Sequence, residues 1–322
     1  MNIAVVGTNF ISDNFVFAAK SVEDVKVLAV YSRTELRGSE FSENHGIERI
    51  YTDYSEMLSD RDIDAVYIAS PIFAHAEQSV AAMSAGKHVL CEKMMAATLD
   101  EFYEMKAASE KYGKVLLEAM RPAHDPLIDA VRENLPKIGK IRRATLSFCQ
   151  YSSRYDKFKR GIVENAFNPK IKNSALSDIG IYPLYLALSI FGEPKSVDSH
   201  SLFLENGFEG EGVLTFAYPE TVVTVTYSKI ADGALPSVIE GEAGSIIINK
   251  VSAPTEVALK LRGKAPETLA TAENEENMCY EIKAFRDMCK GKLDHKPYLA
   301  ITELQQRIVQ KSYEITGADK YF

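Results

Sequence analysis

No stretch of this chain comes near the roughly 20 consecutive apolar residues that a membrane-spanning helix needs, so no membrane partner is expected. The chain opens on a strand pattern, Asn2-Ile3-Ala4-Val5-Val6, which is read as leaving no room for a signal peptide. Cysteine is scarce: Cys91, Cys149, Cys279 and Cys289 form no CxxC pair and no small-domain disulfide framework. They are expected to be reduced thiols in a cytoplasmic protein. Positive charge is also short, with 37 Lys and Arg against 45 Asp and Glu and a net charge of −8. That balance argues against nucleic acid and anionic membrane as partners, because phosphate neutralisation needs clustered cations. The one basic cluster, Arg154, Lys157, Lys159 and Arg160, encloses Asp156 and reads as a solvated loop. A local site for an anionic substrate group is the alternative. The six histidines include no HxxxH pair, and no His/Cys cluster has ligand spacing, so no metal is expected. There is no internal repeat and no low-complexity tract.

What is present fits an ordinary globular protein: 322 residues, 46% hydrophobic and 25% charged. At roughly 150 residues per domain the length suggests two domains. Apolar, β-branched runs at Ile3 to Val6, Val25 to Tyr31, Ala65 to Ala69, His88 to Cys91 and Val115 to Leu117 alternate with amphipathic stretches. Those stretches are Phe10 to Lys20, Phe73 to Ala85 and Leu99 to Tyr112, the last capped by Thr98 with Asp100 and Glu101 in its first turn. Strands alternating with helices predict an α/β Rossmann domain, a doubly wound parallel sheet covered on both faces, over residues 1–120. Beyond it, Pro122, Pro126 and Pro136 punctuate a connection with a short helix near Leu127 to Asn134. A strand follows from Lys140 to Tyr151, then an irregular polar stretch to Asn173 and a helix-like segment from Asp178 to Phe191. Strand runs at Val213 to Tyr218, Thr221 to Ile230 and Ser245 to Ile248 precede helical sequence at Glu276 to Cys289 and Ile301 to Thr316. Residues 121–322 therefore read as an α+β domain with a mainly antiparallel sheet, its C-terminal helix free to pack back on the first domain.

The first strand turns into a helix through Gly7-Thr8-Asn9-Phe10-Ile11-Ser12. In the dinucleotide fingerprint G-x-G-x-x-G the first glycine makes the tight turn, the second lets backbone approach pyrophosphate, and the third lets helix and strand pack closely. Only Gly7 fits unaltered. Asn9 is expected to take a left-handed conformation in place of the second glycine, and Ser12 is small enough for close packing. Amides at the helix start would attract pyrophosphate, although an ordinary strand-to-helix turn looks much the same. The second strand ends Tyr31-Ser32-Arg33-Thr34 with no acid at its tip. A carboxylate there would bind the ribose of NAD, whereas serine and arginine suit a 2′-phosphate, which favours NADP over NAD. An exposed arginine opening a helix is the alternative. Two further strand tips, Ala69-Ser70-Pro71 and Cys91-Glu92-Lys93, should open into the ligand crevice of such a sheet.

Asp178-Ile179-Gly180-Ile181-Tyr182-Pro183 places an acid and a phenol at i and i+4, on one face if helical. Pro183 belongs in a first turn or else kinks the helix. The alternative is an N-terminal cap at Asp178 and a half-buried Tyr182.

These pieces occur in one order: the Gly7 turn, Ser70-Pro71 with His75 after it, Gly86-Lys87-His88-Val89-Leu90-Cys91-Glu92-Lys93, Glu118-Ala119-Met120-Arg121 and Asp178 to Pro183. Across nearly its whole length the sequence resembles the glucose-fructose oxidoreductase, inositol dehydrogenase and MocA-like oxidoreductase family. The resemblance implies NAD(P) as cofactor, an open-faced sheet in the second domain, which would be the substrate-binding and oligomerisation domain, and homodimers or homotetramers formed through that sheet. It implies that Lys93 contacts the reacting oxygen and the cofactor. It also matches Asp178 and Tyr182 to the family's Asp-x-x-x-His motif, with tyrosine in place of histidine. Three departures stand out. Met94 replaces a proline, so the lysine loop loses a fixed φ and is open to a different placement. Asn9 replaces a glycine, and Asn173-Ser174-Ala175 stands where the family is often glycine-rich.

Hydride transfer needs a carbon held against the nicotinamide ring and a proton relay on its oxygen. A free tyrosine, with a pKa near 10, is a poor base at neutral pH, and a neighbouring ammonium lowers it. The expected roles are proton exchange by Tyr182, polarisation of the oxygen by Lys93, and positioning of the substrate or of Lys93 by Asp178. Gly7, Thr8, Asn9, Phe10, Ile11, Ser32, Arg33, Thr34, Ser70, Pro71, His75, Glu92 and Lys93 are the expected cofactor contacts. Arg121, His124, Tyr151, Arg154 and Asn173 are weaker candidates for the substrate pocket. The leading expectation is an NAD(P)-dependent oxidoreductase acting on a sugar, polyol or related hydroxy or carbonyl compound. A non-catalytic NADP-binding sensor of the same fold is the alternative, against which the joint presence of Lys93, Asp178 and Tyr182 argues.

Overall fold

The computed structural model describes residues 1–273 and 275–321. They form two compact units, one of residues 1–120 with 276–300 and one of residues 121–275 with 301–322.

In the first unit the chain runs β1 (Asn2–Val6), α1 (Phe10–Ala19), β2 (Lys26–Tyr31), α2 (Glu35–His45), β3 (Arg49–Tyr51), α3 (Tyr54–Ser59) and β4 (Ala65–Ile68). It continues through α4 (His75–Ser84), β5 (His88–Glu92), α5 (Leu99–Tyr112) and β6 (Leu116–Ala119). The strands form one sheet in the order β3-β2-β1-β4-β5-β6, and every pair is parallel. Strand order reverses beside β1, so the carboxyl ends of β1 and β4 flank the crevice typical of a doubly wound sheet. Alternation along β1 feeds two cores. Ile3 and Val5 join Phe15, Val16, Tyr67 and Leu90 on one face, while Ala4 and Val6 join Met57, Ile68, Phe102 and Met105 on the other. Thr98 and Glu101 close a reciprocal capping box at the start of α5, which ends on left-handed Gly113.

The second unit contains α6 (Pro126–Asn134), β7 (Ile141–Cys149), α7 (Ser153–Phe158), a π-helical turn (Leu176–Gly180), α8 (Ile181–Phe191) and strands β8 (Ser196–Phe203), β9 (Glu209–Ala217) and β10 (Val222–Ser228). Four more strands follow: β11 (Ser237–Gly241), β12 (Gly244–Ile248), β13 (Glu256–Leu261) and β14 (Glu267–Thr271). The sheet order is β14-β13-β12-β11-β7-β10-β9-β8, antiparallel except for the β7–β10 pair. Ala144, Leu146, Leu214, Phe216, Val223, Val225 and Ile239 bury one face, against which α8 packs. The alternate residues, including Thr145, Val213, Thr224, Thr226 and Val238, are only half-buried. The stretch to Asn173, irregular in the sequence reading, contains α7 and two 3₁₀ turns.

Helix α9 (Met278–Cys289) belongs to the first unit, where Met278, Ile282 and Phe285 complete the core beside α1. The last long helix, α10 (Lys296–Thr316), begins in the first unit and continues into the second. Among the described residues no helix is long and apolar enough to cross a membrane.

Candidate active site

At the tip of β1, Gly7 has φ +107°, a conformation that side-chain-bearing residues rarely adopt. A Cβ there would also sit 3.0 Å from the main-chain oxygen of Ala69, so the turn admits only glycine. Asn9 does not replace the second glycine by going left-handed. Its φ of −98° and ψ of 176° are extended, and it is the N-cap of α1. Its Oδ1 accepts from the amides of Ile11 (3.0 Å) and Ser12 (3.3 Å), while its Nδ2 donates to Ala69 O at 2.7 Å. The side chain thus satisfies two first-turn amides that the fingerprint leaves open to pyrophosphate. Ser12 is wholly buried, as close helix–sheet packing requires. Phe10 is largely exposed at the same end.

At the tip of β2, Ser32 is buried, its amide bonded to Tyr51 O, and its hydroxyl accepts from the amide of Thr34. Arg33 is exposed, and among the described residues it forms no ion pair. Arg37, four residues on in α2, is exposed and equally without an ion pair. Gly38 lets this helix approach the sheet, since a Cβ there would lie 2.8 Å from Ile50 Cγ2. Two uncommitted guanidiniums beside a strand tip that lacks a carboxylate favour an anionic group at this corner.

The tips of β4 and β5 are tied together from behind. His75, at the start of α4, is buried, with Nε2 2.8 Å from Ser70 O and Nδ1 3.2 Å from Met94 O. Burial pushes its pKa down, which favours the neutral ring. His75 therefore acts on the crevice through the main chain of Ser70 and Met94. Ser70 Oγ donates to Gln78 Oε1, and Pro71 precedes the 3₁₀ turn that leads into α4. Glu92 is also turned inward, accepting from Tyr67 OH at 2.6 Å and from the amide of Lys93 at 3.2 Å. Tyr67 in turn stacks on Phe15 at 3.7 Å. Lys93 is half-buried. The peptide between it and Met94 is cis. Proline is not what holds this loop. Met94, Met95 and Ala96 are buried, and the Met95 amide donates to Glu118 Oε1 at 3.0 Å.

In the second unit, Asp178 lies in the π-helical turn and Tyr182 in the first turn of α8. Pro183 follows three residues after the π-helical turn, which runs without a break into α8. Asp178 is not a helix cap. Its Oδ2 receives the ammonium of Lys229 at 2.7 Å. Tyr182 packs on Phe148, with ring centroids 5.8 Å apart. Four residues apart across this turn, the carboxylate and the phenol fall on one side of the helix.

The weaker substrate candidates are dispersed. Arg121 donates to Glu275 O. His124 is half-buried, and burial lowers its pKa to about 4. Tyr151 and Lys159 both bond Asp156, while Arg154 and Lys157 pair with Glu164, so the basic cluster is largely neutralised by its own acids. Asn173 donates to Asn165 O. Two residues of interest had escaped notice. Arg37 becomes visible only once α2 is recognised as a helix, which puts it in the first turn after the tip of β2. Lys229 carries no local signal at all, because only folding brings it to Asp178. Among the described residues no cluster of three or more His, Cys, Asp or Glu forms a metal site.

Comparison with known proteins fits this arrangement. Residues 1–120 match the oxidoreductase family with an NAD-binding Rossmann fold, and residues 134–247 match the C-terminal domain of that same group. The chain is 40% identical over 290 residues to scyllo-inositol 2-dehydrogenase (NADP(+)) IolU of Bacillus subtilis (strain 168), covering 90% of this chain and 88% of the relative. It is 28% identical to trans-1,2-dihydrobenzene-1,2-diol dehydrogenase of Mus musculus, over 97% of this chain and 96% of that one. The solved structure of a levoglucosan dehydrogenase in complex with NADH and levoglucosan superposes with a TM-score of 0.88 at 20% identity, covering 100% and 98% of the two chains.

Proposed function

The chain belongs to the glucose-fructose oxidoreductase, inositol dehydrogenase and MocA-like family of NAD-binding oxidoreductases, and from that premise we propose that it transfers hydride between a nicotinamide dinucleotide and a sugar, polyol or related hydroxy or carbonyl compound. The observation that carries the reading is the crevice edge of the first unit. There a positive-φ glycine sits against Ala69, and Arg33 and Arg37 stand uncommitted beside a strand tip that lacks an acid.

The residues present fit the dinucleotide. Gly7, Thr8, Asn9, Phe10 and Ile11 would hold the pyrophosphate, and a side chain at position 7 would fill that cradle. Ser32, Arg33, Thr34 and Arg37 would take the ribose end, which favours NADP over NAD. Ser70, Pro71 and Lys93 would border the nicotinamide, with His75 and Glu92 supporting them from within. When bound, the cofactor supplies the hydride acceptor or donor.

The chain's own residues then handle the proton. Tyr182 exchanges it with the substrate oxygen, Lys93 polarises that oxygen, and Asp178 positions the substrate. An ammonium near the phenol favours phenolate and makes tyrosine a usable base near neutral pH. The sugar or polyol class rests on family membership and on the relatives. The half-buried sheet face of the second unit suits assembly into a homodimer or homotetramer. The cysteines, none of them in a disulfide among the described residues, suit a cytoplasmic setting.

Tyr182→Phe and Lys93→Ala test the roles. Each is expected to lower turnover by about 10²- to 10⁴-fold, the usual contribution of a positioned proton-transfer group, with NADP binding within a few-fold of wild type. Near-wild-type turnover in either variant removes that residue from the mechanism.

A further inference from the structure

Lys229 is a buried cation outside every motif of the sequence. It follows directly on β10, its amide bonded to Gly210 O at 2.9 Å, and only 4% of it is exposed. Its ammonium donates to Asp178 Oδ2 and to Ala166 O, both at 2.7 Å. The rings of Phe167 and Phe208 lie 4.9 and 5.2 Å from the charge and close the site as an aromatic wall. Phe158 and Tyr155 stack behind Phe167.

An ion pair with a buried cation is a weak way to stabilise a fold, because desolvation offsets most of the attraction and apolar side chains in place of both partners often do as well. This site already has an apolar wall against which methionine would pack. What the pair does supply is a fixed place for one carboxylate. The main chain beneath Asp178 is fixed separately. Glu209 Oε2 accepts from the Leu176 amide at 3.1 Å, and Tyr227, bonded to Glu209 at 2.9 Å, lies so close under Gly180 that a Cβ there would be 2.7 Å from the ring. Tyr227 and Lys229 are two apart along one strand direction and so project from the same face of the sheet. The end of β10 thus clamps the π-helical turn twice, Tyr227 on its backbone and Lys229 on its acid.

We propose that Lys229 is a positioning residue of the active site, holding the Asp178 carboxylate in the orientation that receives the substrate. The assignment deepens the oxidoreductase reading and rests on it for its catalytic consequence.

The test compares Lys229→Met, Lys229→Arg, Asp178→Asn and the Lys229→Met/Asp178→Asn double variant in the full-length protein, with NADP+ and a panel of inositols and sugars. Lys229→Met is expected to lower the urea midpoint, because it leaves the Asp178 carboxylate and Ala166 O without their cation, but to keep near-wild-type NADP+ affinity and to lose roughly 10- to 100-fold in kcat, the scale of one charged hydrogen bond. Lys229→Arg should recover part of the loss. The double variant should be no worse than Asp178→Asn alone, because Lys229 acts through that acid. A Lys229→Met enzyme within twofold of wild type, or losses that multiply in the double variant, overturns the proposal.

If wild type turns over no member of the panel, the oxidoreductase reading fails on its own, and the pair is read by carbon-13 NMR of the Asp178 carboxyl. Among the described residues of this unit, the titratable groups that meet this turn include Glu209 and Tyr227, already bonded to each other, Tyr313 and Tyr182. Lys229→Met should raise the Asp178 midpoint by about one pH unit or more, and an unchanged midpoint refutes the assignment.

Discussion

The side-chain amide of Asn9 donates to the main-chain oxygen of Ala69 at 2.7 Å, while its own oxygen caps α1 through Ile11 and Ser12. One residue therefore joins the tip of β4 to the start of the helix whose amides face the proposed pyrophosphate site. Asn9→Ala removes both functions. It should cost about 1–2 kcal/mol, the sum of a lost cap and a lost hydrogen bond, read as a lower urea midpoint. Asn9→Gly loses little of the cap, restores the second fingerprint glycine and opens two amides. Its NADP affinity should match or exceed wild type, because only the main chain at position 9 meets the pyrophosphate, and a tenfold weakening would show that the Asn9 side chain itself holds the cofactor.

Arg33 and Arg37 should set cofactor choice. Neither is committed to a carboxylate, so each is available for a 2′-phosphate. Arg33→Ala and Arg37→Ala are each expected to weaken NADPH binding by about tenfold or more while leaving NADH binding nearly unchanged, since a hydrogen bond to a charged group contributes roughly 1.5–3 kcal/mol. Calorimetric titration with both cofactors checks this. A preference that survives in the Arg33→Ala/Arg37→Ala double variant would remove the pair from the account.

Stability should fall as pH drops from about 6.5 toward 4. Burial lowers the pKa of His75, and takes His88 and His124 to about 4. The unfolded chain binds protons at these residues near pH 6.5, before the folded chain does. Stability is thus fully present above that pH and is lost as pH falls. The ceiling is about 1.4 kcal/mol per pH unit for each histidine, with less expected from His88 and His124, which are only half-buried. Urea midpoints at pH 7 and pH 5 should differ in that direction, and His88→Gln should flatten the change. Equal midpoints would mean that the rings are protonated in the folded protein.

The parts legible in the sequence share one property: their signal is local. Strands β1, β2, β4 and β5 are nearly continuous apolar runs because both faces of a parallel sheet are covered, and α5 announces itself through Thr98 and Glu101. Helix α2 escaped because its buried side is Gly38, Phe41 and Ser42, a single apolar residue. With it went Arg37. Strand β8 escaped because Ser, Asp and His fill most of its positions. The degraded fingerprint suggested a left-handed Asn9, whereas the side chain found hydrogen bonds that an extended backbone offers and the sequence does not display. Lys229 meets Asp178 across 51 residues of chain, a relation that no periodicity encodes.

The most direct measurement is reduction of NADP+ by purified full-length protein across a panel of inositols, sugars and related polyols, followed by NADPH absorbance alongside calorimetric NADP+ binding. The account predicts saturable NADPH formation with at least one polyol or sugar, abolished or nearly so in Tyr182→Phe while NADP+ binding persists. Tight NADP+ binding with no turnover of any panel member, forward or reverse, would contradict it and mark the protein as a dinucleotide sensor.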